Sequence, residues 1–235
     1  MKKLFIAIVA AMMAVPALRA QEEAPQVIQG LSLDYNLNTL YPKDDSSTSL
    51  NGFGVNYNFD YRITESLPIY IGTGLNFQFL FRNAKMIEVT TNYGDAELQD
   101  FAIRDKVNMY YMDVPVNISY RARISPSAYL TPMLGLDFKV QLYGHAKIDV
   151  SGAYSSEIGE FLNEYVGVQP GKSFNLYDNG DMMGNAWHRF QFGWHAGLKL
   201  NYKDYFISMT YGTDFVKLQR NLGQGTFQIA LGMNF

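Results

Sequence analysis

The segment Thr226-Phe227-Gln228-Ile229-Ala230-Leu231-Gly232-Met233-Asn234-Phe235 decides the fold. Phe227, Ile229, Leu231, Met233 and Phe235 are apolar, and the residues between them are polar or small. A period of two places the apolar set on one face of a β-strand. In a soluble sandwich such a strand would be a bare apolar edge that invites aggregation. In a lipid bilayer a closed barrel has no edge, and its outer face is apolar.

Working backwards, seven more segments alternate in the same way. Leu31 to Leu37, Phe53 to Tyr61, Ile69 to Phe81, Tyr110 to Tyr120, Leu130 to Leu142, Phe190 to Tyr202 and Tyr205 to Tyr211 each carry an apolar face of odd or even positions. The eight apolar faces hold 45 residues and no Asp, Glu, Lys or Arg, although charged residues are 17% of the chain. A Lys or Arg facing lipid at the bilayer midplane costs about 2–4 kcal/mol. The opposite faces do carry charge, so they are not an ordinary dry core. A soluble lipocalin-like barrel would alternate the other way.

The connections alternate in length. Residues 63–68, 122–128 and 203–204 are short, whereas 38–52, 83–109, 143–189 and 213–225 are long. Short periplasmic turns and longer outer loops are the plan of an outer-membrane barrel. The expectation is an all-β, eight-stranded antiparallel up-and-down transmembrane barrel spanning 21–235, of the small OmpA/OmpX kind, in the outer membrane of a Gram-negative bacterium.

The first twenty residues read as a secretory signal. Lys2 and Lys3 precede the apolar run Leu4 to Val15, and Pro16 to Ala20 form the cleavage region. Removing 1–20 takes away three cations and no acid, so the formal charge of −3 becomes −6. That balance argues against nucleic acid as a partner. The absence of cysteine leaves no residue for a lipid anchor, a disulfide framework or a thiolate site. No later stretch is long and apolar enough for a membrane helix, and aromatic residues make up 15% of the chain, as girdles demand.

Two resemblances rest on particular residues. The last segment resembles the C-terminal assembly signal of outer-membrane barrels, with Gln228, Met233 and Phe235 matching and Ala230 where glycine is usual; the resemblance assigns Phe227, Gln228, Ile229, Leu231, Met233 and Phe235 to recognition by the barrel-insertion machinery. Tyr111-Met112-Asp113-Val114-Pro115-Val116, followed by Tyr120-Arg121, resembles the Tyr-x-acid-x-Pro-x strand of the PorT-like outer-membrane barrel family of Bacteroidetes. Tyr129 to Gly135 and Arg189-Phe190-Gln191-Phe192-Gly193 fall where that family has similar strands. The resemblance implies a barrel. The member that names the family assists protein secretion, and fold alone does not transfer that role.

In this register Asp34, Asp60, Arg62, Arg82, Asp113, Arg121, Asp137, Lys139, His195 and Lys199 point into a lumen that side chains nearly fill. A mixed-sign set in a narrow interior is expected to form a salt-bridged plug, with Asp113 and Lys139 in one network. A proton or ion path is the alternative use of the same set. Three histidines occur, His145, His188 and His195. His188 or His145 with Ser151, Ser155 or Ser156 would be the material for a rim-sited lipid A hydrolase, yet no spacing enforces a triad. No zinc-type cluster or phosphate-binding glycine loop is present, so no cofactor is expected. Ile158, Phe161, Leu162, Tyr165 and Val166 recur at helical spacing, which predicts a short amphipathic helix over the barrel mouth. Met86 to Val89 and Lys147 to Val150 alternate, which predicts hairpins that extend above the membrane. The function so read is a small closed barrel with a structural, adhesion or partner-binding role through its outer loops; a rim-sited lipid A-modifying hydrolase, and a narrow pore or secretion-assisting barrel, are the alternatives. Its partners would be outer-membrane lipids, the insertion machinery and a protein or surface ligand at the outer loops.

Overall fold

A computed structural model describes residues 25–43, 47–93, 96–167, 169–180, 186–219 and 221–235. The expected signal segment, 1–20, lies outside them. The strands are β1 (Val27–Pro42), β2 (Thr48–Arg62), β3 (Ile69–Tyr93), β4 (Ala96–Tyr120), β5 (Ala122–Ser125), β6 (Ala128–Ser151), β7 (Ser173–Asn175), β8 (Phe190–Tyr202), β9 (Tyr205–Asp214) and β10 (Leu222–Asn234). Among the described residues one α-helix, α1 (Ser155–Phe161), runs into a π-helical turn at Leu162–Val166.

The sheet closes on itself. β1 pairs with both β2 and β10, and β4 pairs with both β3 and β6, all antiparallel. The ring runs β1-β2-β3-β4-β6-β8-β9-β10, eight strands and an even number. β5 continues β4 beyond Arg121, whose backbone N–H donates to the Pro68 carbonyl. Closure leaves the ring without a free edge, the condition for a sheet to cross hydrocarbon.

The two faces have the expected polarity. Leu33, Phe53 and Leu231 are 67%, 58% and 63% exposed on the outside, whereas Asn38, Gln141 and Gln191 inside are at most 1% exposed. That inversion is a barrel whose solvent is lipid. Tyr110 and Tyr120 bound the outer face of β4. Ten steps of about 3.3 Å at a tilt of about 40° make roughly 25 Å, the height of the apolar band of such barrels. On the outside at the upper limit, rings follow one another from strand to strand: Tyr35–Phe53, Phe53–Phe81, Phe79–Phe81, Phe79–Tyr110 and Tyr110–Tyr143, with centroids 4.8–6.1 Å apart.

The strands are longer than the alternation predicts. β3 and β4 pair without a loop up to Tyr93 and Ala96, and β6 pairs with β4 up to Ser151 opposite Ala102. Residues 83–109 are therefore mostly strand, the extended hairpin that Met86 to Val89 pointed to. Together they make a three-stranded arm above the barrel. Twelve residues of β3 beyond Phe81 correspond to roughly 40 Å of chain. The period weakens here because the arm stands above the hydrocarbon, so neither face has to be apolar.

Candidate functional site

The lumen holds most of the charged residues that the register turned inward, and their direct contacts fall into several groups. Asp34 is buried among amides: Asn36, Asn56 and Gln78 all donate to its carboxylate, Gln78 at 3.0 Å. Gly54 stands opposite Gln78, and a Cβ there would collide with the amide. Asp113 accepts from Asn76 at 3.0 Å. Asp137 lies 2.7 Å from Nδ1 of His195, whose Nε2 faces Asn117 Oδ1. Lys199 reaches Asp60 at 3.6 Å and lies 4.9 Å from the centre of the Phe206 ring. Arg121 stacks over Tyr129 at 4.3 Å. Asp113, Asp137, Lys139, His195 and Lys199 line a cavity of about 110 Å³, room for several waters.

Two of the predicted residues stand apart from the lumen. Arg62 donates to the carbonyls of Glu65 and Leu67 and so holds the 63–68 turn. Arg82 pairs with Asp105 at 3.1 Å on the inner side of the arm, above the mouth. Among the described residues, the most buried ion pair joins Lys139 to a residue that the sequence reading left in a loop. Lys139 Nζ is 2.8 Å from Asp214 Oδ1, with the side chains 5% and 1% exposed. Lys139 and Asp113 are direct cross-strand partners, as the register implies, but the ammonium turns the other way. The strand between Lys139 and Asp214 explains the choice. Gly193 of β8 lies opposite both Asp137 and Asp214, and a Cβ there would sit 2.6 Å from Asp214 Oδ1. Its lack of a side chain opens the path. Continuing the β9 period two residues past Gly212 would have turned Asp214 inward.

Apolar side chains seal the outer mouth. Leu40, Leu50, Leu80, Met109 and Tyr111 from the barrel wall pack with Leu176 and Leu218 from the outer loops, and Tyr177, Trp187 and Leu222 rest against them. Leu218 is fully buried. Tyr177 donates to Gln141 at 3.2 Å, and Arg189 lies over its ring at 4.5 Å. The helix over the mouth is corrected by this arrangement. The predicted helix exists, but α1 rests against β4 and β6 of the arm, and Phe161 and Tyr165 stay exposed. The loop residues that fill the mouth have no sequence period to reveal them.

No known family model matches the chain, and no curated protein is similar to it in sequence. Among solved structures it is similar to Ail, the attachment invasion locus protein of Yersinia pestis, in complex with the heparin analogue sucrose octasulfate: 16% identity, 90% of this chain and 100% of that one, TM-score 0.45. It is also similar to Neisserial surface protein A: 12% identity, 88% and 97% covered, TM-score 0.42. Likeness at that level carries no argument, and the fold rests on the strand pairing itself.

The material for a rim hydrolase does not come together. His145 stacks on Tyr143 with centroids 4.2 Å apart, and its Nδ1 has no hydrogen-bond partner. The backbone N–H of His188 donates to Leu218. Among the described residues neither imidazole bonds a serine hydroxyl. The terminal segment forms β10 up to Asn234: Phe227, Ile229, Leu231 and Met233 face outward, Gln228 faces the lumen, Phe235 just past the strand is exposed, and the strand closes the ring between β9 and β1.

Above the mouth, charges gather on the arm. Lys106 and Lys147 are direct cross-strand partners, and both reach Asp149, at 2.7 and 2.9 Å. The hydrogen bonds from Lys106 and Lys147 hold the Asp149 carboxyl below the usual carboxylate range. Lys85 pairs with Glu88 at 2.6 Å.

Proposed function

We propose that the protein is an outer-membrane barrel that does not conduct and that works through its extracellular arm, as a scaffold for adhesion or partner binding. The observation that carries this is the apolar seal of the mouth beneath a three-stranded arm. Water and ions avoid a constriction lined by Leu40, Leu50, Leu80, Met109 and Leu218, because nothing there replaces their hydration. The arm offers paired strands, exposed Ile87 and Val89, and a helix with exposed rings. The PorT-like resemblance fits this reading as a secretion-assisting scaffold rather than a conduit. No step of enzyme chemistry belongs to it.

Planar-bilayer recording tests the reading. The protein should show no unitary conductance, and Leu218→Asn with Trp187→Ala should introduce intermittent openings. Steady single-channel conductance from the unaltered protein would overturn it.

A further inference from the structure

The outward face of the arm carries a second, unassigned feature. β4 and β6 can be followed upward from the aromatic ring by their cross-strand pairs. Tyr110 lies opposite Tyr143, then Asn108 opposite His145, Lys106 opposite Lys147, and Arg104 opposite Asp149. Direct partners share a face, so all of these continue the lipid-facing side. On the other flank of β4, Asn83 lies opposite Lys106 and Lys85 opposite Arg104. Lys85, Arg104, Lys106 and Lys147 thus occupy one outward patch.

Among the cross-strand partners described, four cations stand with the carboxylates of Glu88 and Asp149, in a chain whose formal charge is −3. Two lysines share the single Asp149 carboxylate. Nε of Arg104 is buried and has no hydrogen-bond partner. Lys85, Lys106 and Lys147 have side chains 40–49% exposed. Position matters as much as charge. Lys106 is four residues above Tyr110, about 10 Å along the membrane normal at 3.3 Å per residue and a tilt of about 40°. That is the headgroup zone, which lysine side chains reach by extending toward it. A charged face meant only for bulk water has no need to stand directly over the lipid-facing rings.

We propose that this patch binds the phosphates of an anionic glycolipid of the outer leaflet. Lys106 and Lys147 flank one phosphate as point charges. Arg104, opposite Asp149 on the same face, adds a third positive charge beside them. Tyr110, Tyr143 and His145 lie beneath, against the acyl and sugar boundary. Asp149 keeps the two ammonium groups together and competes with the ligand for them.

The test uses the mature chain in detergent, titrated with diphosphoryl lipid A and read by native mass spectrometry. A cation near an anionic headgroup is worth about a fivefold factor in affinity, so Lys106→Gln with Lys147→Gln should weaken binding roughly 25-fold. Lys217→Gln, an exposed outer-loop cation away from the patch, should leave it unchanged. Asp149→Asn should tighten it, which keeps a readout if the double variant folds poorly. Chemically dephosphorylated lipid A should bind no better to the protein than to the double variant. Equal lipid A binding by the protein and the folded double variant would overturn the proposal. So would complete displacement of lipid A by millimolar inorganic phosphate, which would make this a site for free anions.

Discussion

Breaking the Lys139–Asp214 pair should be among the most damaging polar changes available in this barrel. The two atoms are 2.8 Å apart and the side chains nearly inaccessible. At that distance and an effective dielectric of about 20, the attraction is about 6 kcal/mol. The cavity beside it admits water, which reduces the net value, and desolvation offsets part of the rest. Lys139→Met alone strands the Asp214 carboxylate, and Asp214→Asn alone strands the ammonium, so each should cost about 3–5 kcal/mol. The double variant strands neither charge and should cost clearly less than the two single changes added together. The coupling energy should therefore be at least 2 kcal/mol. A parallel cycle of Lys139→Met with Asp113→Asn should give less than half of that. Asp113 is the register partner of Lys139, but its carboxylate bonds Asn76. Both cycles are read by reversible urea unfolding in lipid vesicles, following tryptophan emission. If the Asp113 cycle couples as strongly as the Asp214 cycle, the ammonium does not rest on Asp214, and the role given to Gly193 is wrong.

Two further outcomes are expected. Deleting Phe235 should reduce the amount of barrel that reaches the outer membrane, seen as loss of the heat-shifted band on unboiled gels; unchanged amounts would remove the segment from the assembly role. The Asp149 carboxyl should titrate below the ordinary value and return toward it in Lys106→Met with Lys147→Met, as followed by carboxyl-carbon NMR. Because the folded-state value is depressed, the stabilisation is present above the unfolded value and fades as pH falls through the folded one. From pH 5 to 8 the group should contribute no slope, and its exposure keeps the effect small.

The alternation of Phe227, Ile229, Leu231, Met233 and Phe235, and of seven segments like it, was enough to determine the barrel, its strand number and which side chains face lipid. It could do so because a membrane constrains each residue separately: a charge facing hydrocarbon is costly whatever its neighbours are. The same register turned Asp34, Asp137, Lys139 and Lys199 into the lumen, where they are found. Which of them meet was not legible. Ion pairing depends on strands distant in sequence and on gaps such as the one Gly193 leaves between Lys139 and Asp214. Nor could the sequence place Leu176, Trp187 and Leu218 in the mouth. These are loop residues without a period, held by the walls that they close and by one another. The arm lies between the two cases. Its strands carry alternation at Met86 to Val89 and Lys147 to Val150, but its outward basic patch exists only once β3, β4 and β6 are aligned, because Lys85, Lys106 and Lys147 become neighbours through pairing and not through sequence.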